Sequence, residues 1–240
     1  MESPAVTELK TIARDLRALA RVEKAAFLQR YFKTGPGEYG EGDKFLGITV
    51  PELRRLARTH RDAGFPVLRG LLRSEWHEER TLALLILAAR YAKAPAAERQ
   101  RIFDFYLSHT SHINNWDLVD CSAEYIVGAH LDARDISLLE KLARSPSLWE
   151  RRIAILSTRR WIKEGEFGPA LEIARMLLRD PHDLIHKASG WMLREIADRD
   201  RRVAEDFLAK HTVSMPRTML RYAIEKFPEP LRMKYLRRGE

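Results

Sequence analysis

Asn114-Asn115-Trp116-Asp117-Leu118-Val119-Asp120 opens a stretch of helical character that reads on to residue 130. Leu118, Val119, Ser122, Ala123 and Ile126 recur at helical spacing and form the flank that a core would take. Trp116, Asp120 and Glu124 follow at i, i+4 and i+8, and Asp117 sits three residues before Asp120, so these four share the other flank. Asn suits a helix cap, and Asp suits the positive end of the helix dipole, so one reading is an ordinary helix start. The other reading is functional. An aromatic beside grouped carboxylates, on a protein of formal net charge +8, makes a place where positive charge is bound or created.

The same periodicity runs nearly from end to end. It predicts helices over 5–20, 22–33, 50–61, 66–73, 76–92, 96–108, 114–130, 135–144, 148–163, 167–178, 183–198, 201–210, 216–226 and 229–237. No alternating β-branched run competes, apart from a short extended piece near Phe45–Ile48. Short connections make antiparallel neighbours the default. Trp76, Trp116, Trp149 and Trp191 follow one another at separations of 40, 33 and 42 residues. That period, with degenerate sequence, fits stacked helix pairs of the HEAT or armadillo type. The expectation is an all-α, HEAT-like antiparallel helical-repeat solenoid with a basic concave face, a single domain over residues 1–240. Trp76 and Trp161 read as core fillers.

Composition narrows the function classes. Hydrophobic residues make up 45% and charged residues 32% of 240, as in an ordinary soluble protein with a real core. No run of 18 uncharged apolar residues exists, so no membrane-spanning helix is expected. The start, Met1-Glu2-Ser3-Pro4, leads into a charged helical pattern and lacks the apolar stretch of a signal peptide. Cys121 is the only cysteine, which excludes an internal disulfide and disfavours a zinc site, so a cytoplasmic location is expected. Lys and Arg exceed Asp and Glu by 19 to 16 in residues 1–120 and by 23 to 18 in residues 121–240. The basic excess therefore belongs to the body of the protein and points to a polyanion, most often nucleic acid.

Three further segments carry candidate chemistry. Residues 33–44 hold four glycines and Pro36, so they form a loop or small hairpin and not a helix. No Gly-Lys-Ser/Thr follows, which argues against a nucleotide-binding loop. Lys33, Tyr39 and Lys44 either decorate a surface loop or touch DNA. The helix from Ser147 brings Arg151 and Arg152 into the apolar run Ile153-Ala154-Ile155-Leu156, where a guanidinium needs a carboxylate, a rim or a phosphate. In the helix from Asp183, Lys187, Gly190, Trp191 and Arg194 share a stripe. Two cations framing an aromatic suit a nucleic-acid surface, and a mid-helix glycine marks close approach of a neighbouring helix or of a ligand.

Taken together, Trp116-Asp117-x-x-Asp120, Trp149-x-x-Arg152-x-Ala154-Ile155 and Lys187-Ala188-x-Gly190-Trp191-x-Leu193-Arg194-Glu195 resemble the AlkD family of HEAT-like-repeat DNA glycosylases. The resemblance extends to Phe45-Leu46-Gly47-Ile48 and Pro51-x-x-Arg54 and covers most of the chain. The 34–44 loop departs from it, being longer and richer in glycine. What the resemblance implies is excision of cationic N3- or N7-alkylated purines from double-stranded DNA without turning the base into a pocket. Trp116, Asp120, Arg152 and Trp191 match the family's key positions. Asp120 would stabilise the developing sugar cation, Trp116 and Trp191 would flank the damaged nucleotide, and Arg152 would hold a phosphate. Lys187 and Arg194 would make broader backbone contacts. A monomer without metal or organic cofactor is implied. A non-catalytic binder of damaged, branched or distorted DNA is the alternative within the same superfamily.

A DNA partner makes a first expectation. Duplex affinity should fall by orders of magnitude as salt rises, with a log–log slope of about −0.9 for every phosphate neutralised. Fluorescence anisotropy across an ionic-strength series measures that slope, and a flat response would count against DNA.

Overall fold

In a computed structural model, which describes residues 3–237, the chain is helical and its packing groups it into two compact units that meet in sequence between Ser122 and Ala123. Residues 1–2 and 238–240 of the domain expected from sequence lie outside the described residues. Among the described residues there is no strand; the extended piece expected near Phe45 is reduced to one isolated parallel bridge between Lys44 and Trp76.

The first unit is arranged around α5 (His77–Tyr91), whose Leu82, Ala83, Leu84, Ile86 and Leu87 are fully buried. A helix apolar on nearly every side has to sit inside, and here α3 (Val50–Thr59), α4 (Phe65–Leu72) and α6 (Ala96–Leu107) pack on it. Helix α1 (Pro4–Arg17) starts on an Ser3 cap with Pro4 in the first turn and buries Ile12 and Leu16 beside α4. Helix α2 (Val22–Tyr31) buries none of its residues. Its start is pinned by Gly47 at φ 81°, where a Cβ would lie 2.3 Å from the Arg21 carbonyl oxygen. The carboxylate of Glu78, 2% exposed, accepts the backbone N–H groups of Leu46, Gly47 and Ile48 at 2.9, 2.8 and 3.2 Å, so this irregular segment is satisfied without a sheet.

The long helix expected over 114–130 is not continuous. Helix α7 covers only Trp116–Asp120, and a π-helical turn covers Glu124–Gly128. The Ser122 hydroxyl donates to the Leu118 carbonyl at 2.6 Å and also meets the Tyr106 hydroxyl at 3.0 Å. A side chain competing for that carbonyl weakens the helical ladder at this point. The apolar flank is nevertheless as expected, with Leu118, Val119, Ser122, Ala123 and Ile126 all fully buried. Trp161 is a core residue at 4% exposure, whereas Trp76 is only half-buried, with the Arg17 guanidinium 5.8 Å from its ring.

The second unit comprises the π-helical turn, α8 (Ser137–Ala143), α9 (Leu148–Ser157), α10 (Arg159–Ile162), α11 (Gly168–Met176), α12 (Asp183–Ala197), α13 (Arg201–His211), α14 (Arg217–Ala223) and α15 (Glu229–Arg237). The helix expected over 148–163 is divided at Thr158, whose hydroxyl donates to the Ile155 carbonyl at 2.6 Å. Helix α12 is central, packing on α9, α11, α13 and most extensively on α14. That last contact explains Gly190. A Cβ there would stand 2.5 Å from the Met219 carbonyl oxygen and 2.6 Å from the Tyr222 Cβ, so the glycine admits a neighbouring helix.

Gly190→Ala should therefore destabilise the fold despite the better helix propensity of alanine. Propensity favours the variant by about 1 kcal/mol, but overpacking against backbone opposes it by about 1–3 kcal/mol. Urea denaturation should show a lowered midpoint; a raised one would mean that α12 and α14 separate freely.

Candidate nucleic-acid interface

In the first unit, Trp116 and Asp120 lie on α7, both half-buried, and α7 is held from several sides. The Asn115 side chain accepts the Trp116 N–H at 2.8 Å, and Asp117 Oδ1 accepts the Leu118 N–H at 2.9 Å. These are the cap and dipole roles of an ordinary helix start. The Trp116 ring stacks on Phe32 at 5.1 Å between centroids with 12° between planes, and Tyr31 meets it edge-on at 6.1 Å.

Beneath this lies a buried charge cluster. The His77 Nδ1 is 3.2 Å from Asp43 Oδ2, and its Nε2 is 2.7 Å from Asp117 Oδ2. Arg80 Nη2 donates to Asp43 Oδ1 at 2.6 Å, and Asn115 Nδ2 donates to Asp43 Oδ2 at 3.1 Å. The imidazole lies against Phe45 at 4.6 Å and Phe32 at 5.0 Å. Burial by itself disfavours a charged imidazole, but the charge of Asp117 and hydrogen bonds to Asp117 and Asp43 outweigh it and push the His77 pKa up to about 9. Asp43 is held below the ordinary carboxylate range: burial opposes this, and His77 and Arg80 overcome it.

Residues 33–44 fold as successive turns. The Glu38 and Glu41 carboxylates accept the Gly35 and Gly37 N–H groups, both at 2.9 Å, and Lys33 adopts φ 51°. Lys33 is exposed and Tyr39 half-buried, while Lys44 is exposed and donates to Glu75 at 2.8 Å. The loop's strongest tie to the candidate site is Asp43, which sequence reading passed over together with His77 and Phe32. No local pattern marks them, because they come from a loop, the start of α5 and the end of α2.

In the second unit, Arg152 is 5% exposed and its Nη1 donates to the Leu184 carbonyl at 2.7 Å. Its neighbour Arg151 takes the carboxylate, reaching Asp180 Oδ2 at 2.5 Å. The Trp191 Nε1–H donates to Glu195 Oε1 at 3.0 Å, and the Arg159 guanidinium lies 5.3 Å from the Trp191 ring centre. Arg159 also donates to Glu124 at 2.8 Å and to Glu195 at 3.4 Å. Glu124, expected on an acidic flank, is buried and ion-paired with Arg159 and Lys163. Glu195 is held below its ordinary range, burial being outweighed by the Trp191 hydrogen bond and the Arg159 charge. Lys187 pairs with Asp183 at 2.7 Å, and Arg194 pairs with Glu225.

The His77 cluster makes stability depend on pH. A folded pKa of about 9 against an ordinary 6.5 means that the protonated ring contributes stability in full below about pH 6.5. That contribution is lost as pH rises through about 9. Urea midpoints of the wild type should therefore fall across this window, and His77→Gln should show a flatter profile from a lower starting value.

Comparison with known proteins agrees with the helical architecture. A family model described as DNA alkylation repair enzyme matches residues 12–227. Comparison with curated protein sequences gives no match. Among solved structures, one described as a predicted DNA alkylation repair enzyme from Enterococcus faecalis aligns at a TM-score of 0.67 and 15% identity, covering 88% of this chain and 97% of that one. At that identity the likeness concerns the fold, which is the helical-repeat fold of these repair proteins. With the family model spanning nearly the whole chain, the protein belongs to the DNA alkylation repair enzyme family, and membership supports a role in alkylation repair with DNA as its partner.

Proposed function

We propose that this protein is a DNA glycosylase that hydrolyses the N-glycosidic bond of cationic N3- or N7-alkylated purines in duplex DNA. The observation that carries the reading is the pairing of Trp116 and Asp120 on one short helix, each half-buried, with the Trp116 ring backed by Phe32. An aromatic face and a carboxylate presented together suit a reaction that creates positive charge on a sugar.

The chemistry needs little acid assistance. The alkylated purine is already cationic; when the bond between the base nitrogen and C1′ breaks, the base leaves with the bonding pair as a neutral molecule. Positive charge passes to deoxyribose. Asp120 stabilises that oxocarbenium-like sugar, a water attacks C1′, and the proton it sheds is accepted by the carboxylate or by solvent. The products are free base and an abasic site. The target base need not leave the duplex for a pocket, unlike the substrates of enzymes that extrude it.

The roles proposed for the second unit are phosphate and sugar contacts by Arg152 and Trp191, with Lys187 and Arg194 engaging the backbone more broadly. Lys33, Tyr39 and Lys44 of the glycine-rich loop are proposed as further backbone contacts. The chain would act as a monomer, and no cofactor is part of this scheme.

Asp120→Asn should remove most base release while leaving affinity for undamaged duplex nearly intact. One electrostatic contact of this kind is worth about 2.7–4 kcal/mol, or roughly a hundred- to a thousandfold in rate. Single-turnover release of N7-methylguanine from a defined duplex measures it. Wild-type release no faster than spontaneous depurination would leave a DNA-binding protein without this catalysis. Full activity in the variant would remove Asp120 from the mechanism.

A further inference from the structure

Resting on the glycosylase reading, we propose that His77 is a positioning residue for the reaction: clamped between Asp43 and Asp117, its imidazole sets the orientation of Trp116 and Asp120 without touching substrate.

The need for such a clamp follows from the length of α7. Five residues cannot hold a helix by their own hydrogen bonds, so the direction of Trp116 and Asp120 depends on what grips the helix from outside. Both neighbours of Trp116 in sequence lead to the same ring. Asp117 meets His77 Nε2 directly at 2.7 Å. Asn115, which accepts the Trp116 N–H, donates to Asp43 Oδ2 at 3.1 Å, and that same oxygen is 3.2 Å from His77 Nδ1. The Trp116 side chain leads there too, since the Phe32 ring on which it stacks lies 5.0 Å from the imidazole. Phe45, at 4.6 Å, closes the ring's surroundings. Backbone and ring of Trp116 are therefore referred to one side chain on the first residue of α5, the most deeply buried helix of its unit. Asp120 rides one turn further along α7.

Both ring nitrogens face carboxylates, and only a doubly protonated imidazole donates to both. The charged groups around it are Asp43 from the loop, Asp117 from α7 and Arg80 from α5 itself, the last opposing the charge while anchoring Asp43 at 2.6 Å. Loss of the Nε2 proton takes from Asp117 the donor that ties α7 to α5 and so loosens α7, whereas Asp43 keeps Arg80 and Asn115. A group that only maintained the fold would change stability; one that orients the site changes the rate at saturation and gives that rate an alkaline limit.

The test uses the full chain, single-turnover release of N7-methylguanine at saturating duplex, and spontaneous release subtracted at each pH. His77→Gln, verified as folded by circular dichroism, should release base about 10- to 100-fold more slowly, the size of effect that small misplacements of reacting groups produce. Affinity for undamaged duplex should change by less than about threefold. The wild-type saturating rate should fall as pH rises through about 9, and Asp117→Asn, which removes a carboxylate that raises the His77 pKa, should move that fall to lower pH. A folded His77→Gln with the wild-type saturating rate would overturn the proposal. So would an alkaline limit that Asp117→Asn leaves in place, and that second variant decides the matter if His77→Gln does not fold. Wild-type release at the spontaneous rate would instead overturn the glycosylase reading itself, and the positioning role with it.

Discussion

Two carboxylates, a guanidinium and an imidazole share a site from which water is largely excluded, at the start of the most buried helix of the first unit. Such a cluster is tolerable only when every charge is answered: His77 by Asp43 and Asp117, and Asp43 also by Arg80 and Asn115. Removing one partner from a buried ion pair leaves an uncompensated charge and typically costs about 3–5 kcal/mol, whereas a well-packed apolar replacement can be neutral. The cluster is therefore an inefficient way to obtain stability. What it does provide is direction. A loop, the first residue of α5 and the first turn of α7 are tied to one another in a single geometry, and Trp116 with its Phe32 support inherits it.

The second unit solves an analogous problem by different means. Trp191 is held at its indole N–H by Glu195, and Arg159 lies over its ring while bonding both Glu195 and Glu124. The π-helical turn that carries Glu124 is pressed closely on α9: at Gly128 a Cβ would stand 2.2 Å from the Ser157 carbonyl oxygen. Gly190 does the same for α12 against α14. Small residues thus bring helices close, and Glu195 with Arg159 holds the Trp191 ring. Arg152, nearly buried, donates to the Leu184 carbonyl and so ties α9 to the first turn of α12.

Much of the helical architecture was legible because periodic burial is a local property. Helix α12 was expected over 183–198 and occupies Asp183–Ala197; α15 was expected over 229–237 and occupies Glu229–Arg237. Two long expected helices are broken, and at each break a hydroxyl bonds an upstream carbonyl, Ser122 to Leu118 and Thr158 to Ile155. Hydroxyl residues inside an otherwise regular pattern leave helical periodicity intact while changing the hydrogen bonding beneath it. The apolar flank Leu118, Val119, Ser122, Ala123 and Ile126 is buried as its spacing predicts, even though the helix carrying it is not continuous.

Sequence by itself determined the all-helical fold class, the basic balance and the residues Trp116, Asp120, Arg152 and Trp191 as candidates, because apolar spacing, composition and short motifs all reside within one or two turns of chain. The identity of their supports was decided only by tertiary structure. His77 lies 40 residues from Asp117 and 34 from Asp43, and Arg159 lies 35 from Glu124 and 36 from Glu195. Nothing in the vicinity of any one of these residues specifies the other. An electrostatic contact depends on distance in space and on exclusion of water, and both come into being only when separate helices pack.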